Sequence, residues 1–382
     1  MKRFSGLLVS GLIVAASMLT SGPAAEAAPA KLIPATGKAL ANQYIVVVKE
    51  GANARSIAAV AGVSPKYVYA AALNGFAATL NAGQLNALQH HPGVDYIEQD
   101  AEVAVEQNGE VGINTTQSGA PWGLDRIDQR SLPLNGTYTY TATGSNVTAY
   151  IIDTGIYTAH TDFGGRARNV YDAFGGTGTD CNGQGTHLAG IVGGARYGVA
   201  KQVQLRGVRV MDCVGSGSYA GVIAGIDWVR LNAVKPAVAL LGLGGSANSS
   251  VDTAVTNLAN SGVFVAVSAG SSNADACNYS PARASGVMTV GASTSSDTRA
   301  SFSNYGACVE LYAPGVNIIS AWHTSTTATN TISGTAQAAA HVAGCAAKYK
   351  STNPTASQST INSWLVNNAT PANGIRILYC PQ

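Results

Sequence analysis

Asn146-Val147-Thr148-Ala149-Tyr150-Ile151-Ile152-Asp153 is the stretch from which the fold is read. It is a β-prone, near-continuously apolar run that ends on one carboxylate, and Thr154-Gly155 then turn the chain. A strand with one wet face alternates apolar and polar residues; this one does not, which suits a strand buried on both faces. The same pattern recurs at residues 203–211, 237–241, 263–268 and 287–291, with glycine-rich turns and small-residue helical stretches between. That alternation predicts an α/β domain on a mainly parallel sheet covered by helices. Its site is expected beyond the C-terminal ends of the strands, which is where Asp153 falls.

Working outward, residues 28–112 carry a different pattern. Strands are expected at residues 44–48, 75–80 and 94–98, and a helix ends over residues 86–91, before Pro92. Two helices on a small antiparallel sheet fit this segment, a small α+β body of its own. Residues 107–121 are rich in Gly, Thr, Ser and Asn and read as a linker, so the larger domain is placed at 113–382. At the start, Lys2 and Arg3 precede an apolar stretch over residues 6–19 and the segment Ala25-Glu26-Ala27. A basic region, a short apolar core and an A-x-A site make residues 1–27 a secretory signal. The run is shorter than the about 20 apolar residues that a membrane span needs. The expectation is a secreted, extracellular, soluble chain with no membrane partner.

Charged residues are only 11% of the chain and the net charge is +2, with no long basic run, which argues against nucleic acid as a partner. The six cysteines, at 181, 213, 277, 308, 345 and 380, agree with an oxidising destination. Their spacing alone does not pair them, and the absence of a Cys-x-x-Cys pair argues against zinc.

Three short motifs carry the chemistry: Asp153-Thr154-Gly155-Ile156, Gly185-Thr186-His187-Leu188-Ala189-Gly190, and Ser333-Gly334-Thr335 followed by His341-Val342-Ala343-Gly344. They resemble the three catalytic signatures of the subtilases, and the chain as a whole resembles the proteinase K and aqualysin branch. Pro121-Trp122-Gly123-Leu124-Asp125-Arg126-Ile127-Asp128 and Ser301-Phe302-Ser303-Asn304-Tyr305-Gly306 support this, and residues 44–100 resemble the family's inhibitory propeptide. The resemblance implies a subtilisin-like three-layer fold with a mainly parallel sheet, preceded by a small α+β propeptide domain.

The resemblance also implies a Ser-His-Asp relay, and here the sequence departs from it. Asp153 is retained. Gln184 stands where the second signature has its base histidine, and a carboxamide does not titrate near neutral pH. In Gly334-Thr335-Ala336-Gln337-Ala338-Ala339-Ala340-His341, Ala336 replaces the nucleophile of Gly-Thr-Ser-Met-Ala-Thr-Pro-His, and a methyl group forms no acyl-enzyme. Ser271 follows Ala269-Gly270 where the family has the oxyanion asparagine, a donor worth about 2.7–4 kcal/mol in the transition state. Leu240-Leu241-Gly242 replaces Asn-Met-Ser. In subtilisin, loss of the serine or histidine alone costs about 10⁶ in turnover. From this the chain is expected not to be an enzyme: a degenerate homologue that holds peptides or acts as a decoy. The alternatives are a serine endopeptidase altered at its active site, naturally or deliberately, and a structural secreted protein with a vestigial cleft. Thr335, His160, His187, His323 and His341 are each expected to be ordinary packed or surface residues rather than surrogates.

The resemblance implies further sites. Gly215, Ser216 and Gly217, with Leu243, Gly244 and Gly245, match the two strands that sandwich an extended peptide. Cys181–Cys213 and Cys277–Cys308 match family disulfides; Cys345 and Cys380 match none, and either form a third bridge or stay as thiols. Asp125, Asp128 and Gln129 match a calcium turn, and Ser285, Val287 and Glu310 a second calcium site, with oxygen donors that suit this ion. The expected partners are an extended peptide and the chain's own propeptide, on a monomer. The propeptide is expected to stay attached unless an outside protease cuts near Asn114.

Overall fold

In the computed structural model, which describes residues 28–105 and 119–381, the run quoted first becomes the strand Thr148–Asp153, buried at every residue. It lies between Ala237–Leu241 and Gln204–Arg209, parallel to both. The sheet continues on one side through Val263–Ser268, Met288–Ser293 and Leu311–Pro314, and on the other to Ala167–Asp172, all parallel. A hairpin of Thr370–Ala372 and Ile375–Ile377 closes the Leu311–Pro314 side. The signal and the expected cut near Asn114 lie outside the described residues.

The absence of alternation in Thr148–Asp153 has a plain cause. Ala149 and Ile151 enter one apolar core, with residues of the helices Gln184–Gly193 and Thr335–Thr352. Tyr150 and Ile152 enter another, with the helices Tyr219–Asn232 and Ser249–Asn260. Both faces are therefore dry, and each large aliphatic side chain buried there contributes about 1.5–3 kcal/mol. Helices on both faces of one sheet make the three layers.

The upstream body has the expected antiparallel sheet, in which Val94–Val105, Ala39–Val48, Gly75–Thr79 and Tyr67–Tyr69 are neighbours in that order. Its two helices are locally specified. Asn53 caps Ala54–Val60 through Ser56 N, and Asn81 with Gln84 forms a capping box on Ala82–Gln89. One face of this sheet, with Val46, Phe76 and Ile97, packs under those helices. The other face, with Ile45, Val47 and Tyr69, shares a core with Tyr219, Val222 and Ile223 of the larger body.

Three disulfides form: Cys181–Cys213, Cys277–Cys308 and Cys345–Cys380. The third closes the choice left by the sequence, since Cys345 and Cys380 are both fully buried and joined. It pins the C-terminal segment, and Cys380 N also donates to Ile127 O.

Candidate functional site

Asp153 ends its strand fully buried, its Oδ1 accepting from Thr154 N at 2.8 Å and its Oδ2 from Gln184 Nε2 at 3.0 Å. Burial pushes its carboxyl up to about 7, against the pull of the Gln184 and Thr154 donors. Gln184 opens the helix Gln184–Gly193, and its Nε2 donates a second bond to Gly242 O at 2.8 Å. Its Oε1 is buried without a partner. The start of this helix is fixed by Asp180, which accepts from Gly183 N, Thr186 N, Thr186 Oγ1 and Thr154 Oγ1. Sequence reasoning missed Asp180; its one local signal is the Asp-Cys-Asn-Gly cluster ahead of the helix.

Ala336 lies fully buried in the first turn of the helix Thr335–Thr352. Gly242 is the point where the parts converge. A Cβ placed there would come within 2.8 Å of Asp153 Oδ2, 3.3 Å of Ala336 Cβ and 2.3 Å of Leu188 Cδ1. The missing side chain at 242 is what lets the three elements close on one another. Thr335 Oγ1 accepts from Gly270 N at 3.1 Å and lies 3.4 Å from Ser271 Oγ. Ser271 Oγ also accepts from Thr335 N at 3.4 Å, so it is tied to the helix start. Asn304 shapes this turn by accepting from Ser272 N and Ala274 N and donating to Ala269 O.

The histidines take separate places. His187 Nε2 sits 3.0 Å from Ile318 O and 3.2 Å from Asn330 O, and burial pushes the ring down to about 3. His341 Nδ1 lies 2.8 Å from Gln337 O, and burial lowers this ring to about 4. His160 Nε2 meets Ala328 O, and His323 packs beside Trp322. Among the described residues no histidine contact to Asp153 is seen.

The cleft holds a strand of the chain itself. Residues 102–104 pair antiparallel with Ser216–Ser218, and Val105 and Ala104 pair antiparallel with Leu243 and Gly244. Ser216, Gly217, Leu243 and Gly244 thus face an extended segment. Gly215 instead lies in the preceding turn at φ +80°, and Gly245 pairs with Ser280. The approach is anchored by carboxylates that sequence reasoning also missed. Glu98 accepts from Ser249 N, Ser250 N and Ser250 Oγ at the start of the Ser249–Asn260 helix. Asp100 Oδ1 accepts from Ala220 N in the first turn of Tyr219–Asn232, and burial pushes its carboxyl up to about 6. From the other side, Asp227 accepts from Ala70 N, Ala71 N and Ala72 N.

The two calcium sets differ. Asp125 accepts from Asn135 N and Gly136 N, and Asp128 Oδ2 from Thr139 N, but Asp128 Oδ1 and Gln129 Oε1 are buried and unpartnered in the same turn. Two orphaned oxygens beside a carboxylate fit a hard cation. At the second set, Ser285 O accepts from Thr256 Oγ1, Val287 O from Asn362 Nδ2, and Glu310 Oε2 from Thr289 N. Each of these three oxygens thus already accepts one hydrogen bond within the fold.

The site is thus a doubly covered parallel sheet with a small body whose last strand fills a two-stranded cleft. Residues 144–378 match the Subtilase family and residues 53–106 match Peptidase inhibitor I9, so the chain belongs to the subtilase family. It is 49% identical to "Extracellular serine proteinase" of Thermus sp. (strain Rt41A), over 97% of this chain and 95% of that one. It is 45% identical to "Proteinase R" of Parengyodontium album, over 84% of this chain and 82% of that one. A solved structure titled "Crystal structure of a cold adapted subtilisin-like serine proteinase" is 48% identical, with TM-score 0.67, covering 69% of this chain and all of that one. These relatives overturn one expectation. The chain was expected not to be an enzyme because of Gln184 and Ala336, yet relatives 45–49% identical to it are named as proteinases, which points to an enzyme.

Proposed function

We propose that the chain is a secreted serine-peptidase-class protein of the proteinase K-like branch that acts on extended polypeptide, with Asp153, Gln184 and Ala336 standing at the triad positions and Ser271 at the oxyanion position. The observation that carries this is the pairing of residues 102–105 between Ser216–Ser218 and Leu243–Ser246, since β-strand addition reads any extended backbone by its amides. Secretion is supported by the basic-apolar-small leader and by the extracellular relative. Calcium is proposed at Asp125, Asp128 and Gln129 alone.

A carboxamide at 184 and a methyl at 336 do not supply the imidazole and hydroxyl of the Ser-His-Asp route. Any turnover by this chain would have to use groups other than that relay, and among the described residues Asp153 meets Gln184 rather than a histidine. The test is a quenched peptide library and a serine-directed label, applied to the full chain and to Gln184→His/Ala336→Ser/Ser271→Asn. The revertant is expected to cut at least about 10³-fold faster than the parent and to take the label only at the serine introduced in place of Ala336. Equal rates and equal labelling would remove Gln184 and Ala336 from the triad positions.

A further inference from the structure

The small body is held to the larger one at places of different kind. One is the strand pairing at residues 102–105, which uses backbone amides that any extended polypeptide offers. Another is Asp227, in the third turn of the helix Tyr219–Asn232. Aspartate is a poor residue for a helix interior, this one is 6% exposed, and among the described residues no lysine or arginine bridges it. Its partners lie in the other body. Ala71 N and Ala72 N donate to its Oδ1 at 2.7 and 2.6 Å, and Ala70 N to its Oδ2 at 3.3 Å. Three consecutive N–H groups turned toward one carboxylate form an anion nest.

Neighbouring contacts complete the clasp. Asn257, on the adjacent helix Ser249–Asn260, donates its Nδ2 to Ala72 O at 2.7 Å. At the head of the turn, Tyr69 OH donates to Ala220 O at 3.2 Å, and at its end Ala72 and Leu73 are buried in the core that the two bodies share. The donor set decides what can sit here. In an extended strand successive N–H groups point to opposite edges, so three in a row cannot meet one acceptor. A polypeptide lying in the cleft therefore cannot reproduce the nest, whereas a folded turn does. Hydrogen bonds to a carboxylate are about twice as strong as those between neutral groups, so each outweighs one rung of the cleft ladder.

We propose that Asp227, with Asn257, is a second recognition site of the larger body, one that takes a folded turn with three consecutive amides and so distinguishes the chain's own small body from an extended polypeptide in the cleft. This rests on the reading that the cleft takes extended polypeptide, and it adds a specificity-determining contact outside the cleft strands.

Hydrogen exchange of the full chain, read by mass spectrometry, tests this. Asp227→Ala is expected to speed exchange about tenfold or more at residues 69–73 and at residues 101–105 alike, because without the clasp the whole body opens more often, while the strand Val263–Ser268 exchanges as in the parent. Faster exchange confined to residues 69–73, or no change in either segment, would overturn the proposal and leave Asp227 a fastener of one local turn. If Asp227→Ala unfolds globally, with Val263–Ser268 speeding too, Asn257→Ala carries the test. Alanine suits its helix, and the lost bond to Ala72 O is expected to speed both segments about threefold. Parent-like exchange in both segments of that variant, or a change at residues 69–73 only, would overturn the proposal as well. Residues 101–105 of the parent exchanging as fast as an unstructured peptide would instead sink the reading of the cleft, and slow exchange at residues 69–73 in the same sample would show the Asp227 site standing without it.

Discussion

At the scale of single residues, the protonation of buried carboxylates sets the pH response. Glu310 is raised to about 7 and Asp153 to about 7, both by burial. A raised folded value means that the native state holds its proton more tightly than the unfolded chain does. The associated stability is fully present below the ordinary carboxyl value and is lost as pH rises through about 7. His187 and His341, depressed to about 3 and about 4, act in the opposite sense, losing stability as pH falls through those values. Glu310→Gln removes one slope while keeping an acceptor for Thr289 N. Between about pH 5 and about pH 8 it is expected to gain roughly 1–3 kcal/mol on the parent, measured by urea unfolding. A constant difference between the two would show that Glu310 is ionised throughout that range.

At the scale of elements, what could be read locally was read, and what depends on distant partners was not. Ala237–Leu241 and Val263–Ser268 were legible because five apolar residues in a row, bounded by turn residues and rich in valine, suit a doubly buried strand. The strand Val94–Val105 was read only over residues 94–98. Its second half is held by partners more than a hundred residues later in the chain, which no local pattern announces. Glu98 and Asp227 escaped for the same reason, since the amides they accept from lie more than 150 residues away; Asp180 accepts mainly from residues just after it, and its one local signal is the Asp-Cys-Asn-Gly cluster. Glu98→Ala leaves the first turn of Ser249–Asn260 without this acceptor and is expected to cost about 1–3 kcal/mol in chemical denaturation of the full chain. The Cys345–Cys380 bridge closes a separation of 35 residues, so the double alanine variant is expected to lose roughly 3–4 kcal/mol. A loss below about 1 kcal/mol would mean that the tail is held by its packing and by its hydrogen bonds, such as those from Leu378 N to Tyr312 O and from Cys380 N to Ile127 O.

At the scale of the whole molecule, the two bodies are joined through one sheet in which a single strand belongs to both, and the turn that carries Asp125 and Asp128 ties the start of the larger body to its loop at residues 135–139. If calcium binds at Asp125, Asp128 and Gln129 at about a hundred times its dissociation constant, chelation removes about 2.7 kcal/mol. Melting of the full chain should then fall by several degrees on adding chelator. Asp128→Asn should melt at the same temperature with and without it; a chelator effect that persists in this variant would place the ion elsewhere. The shared strand has one more consequence. Were residues 94–105 withdrawn, Ser216–Ser218 and Leu243–Ser246 would both become sheet edges, each with a row of amides and carbonyls open to any passing backbone. Both are only three or four residues long and rich in glycine and serine, too short and too weakly β-forming to seed stacking of one copy on another. Uncovering the cleft would therefore expose two edges without inviting copies of the molecule to polymerise along them.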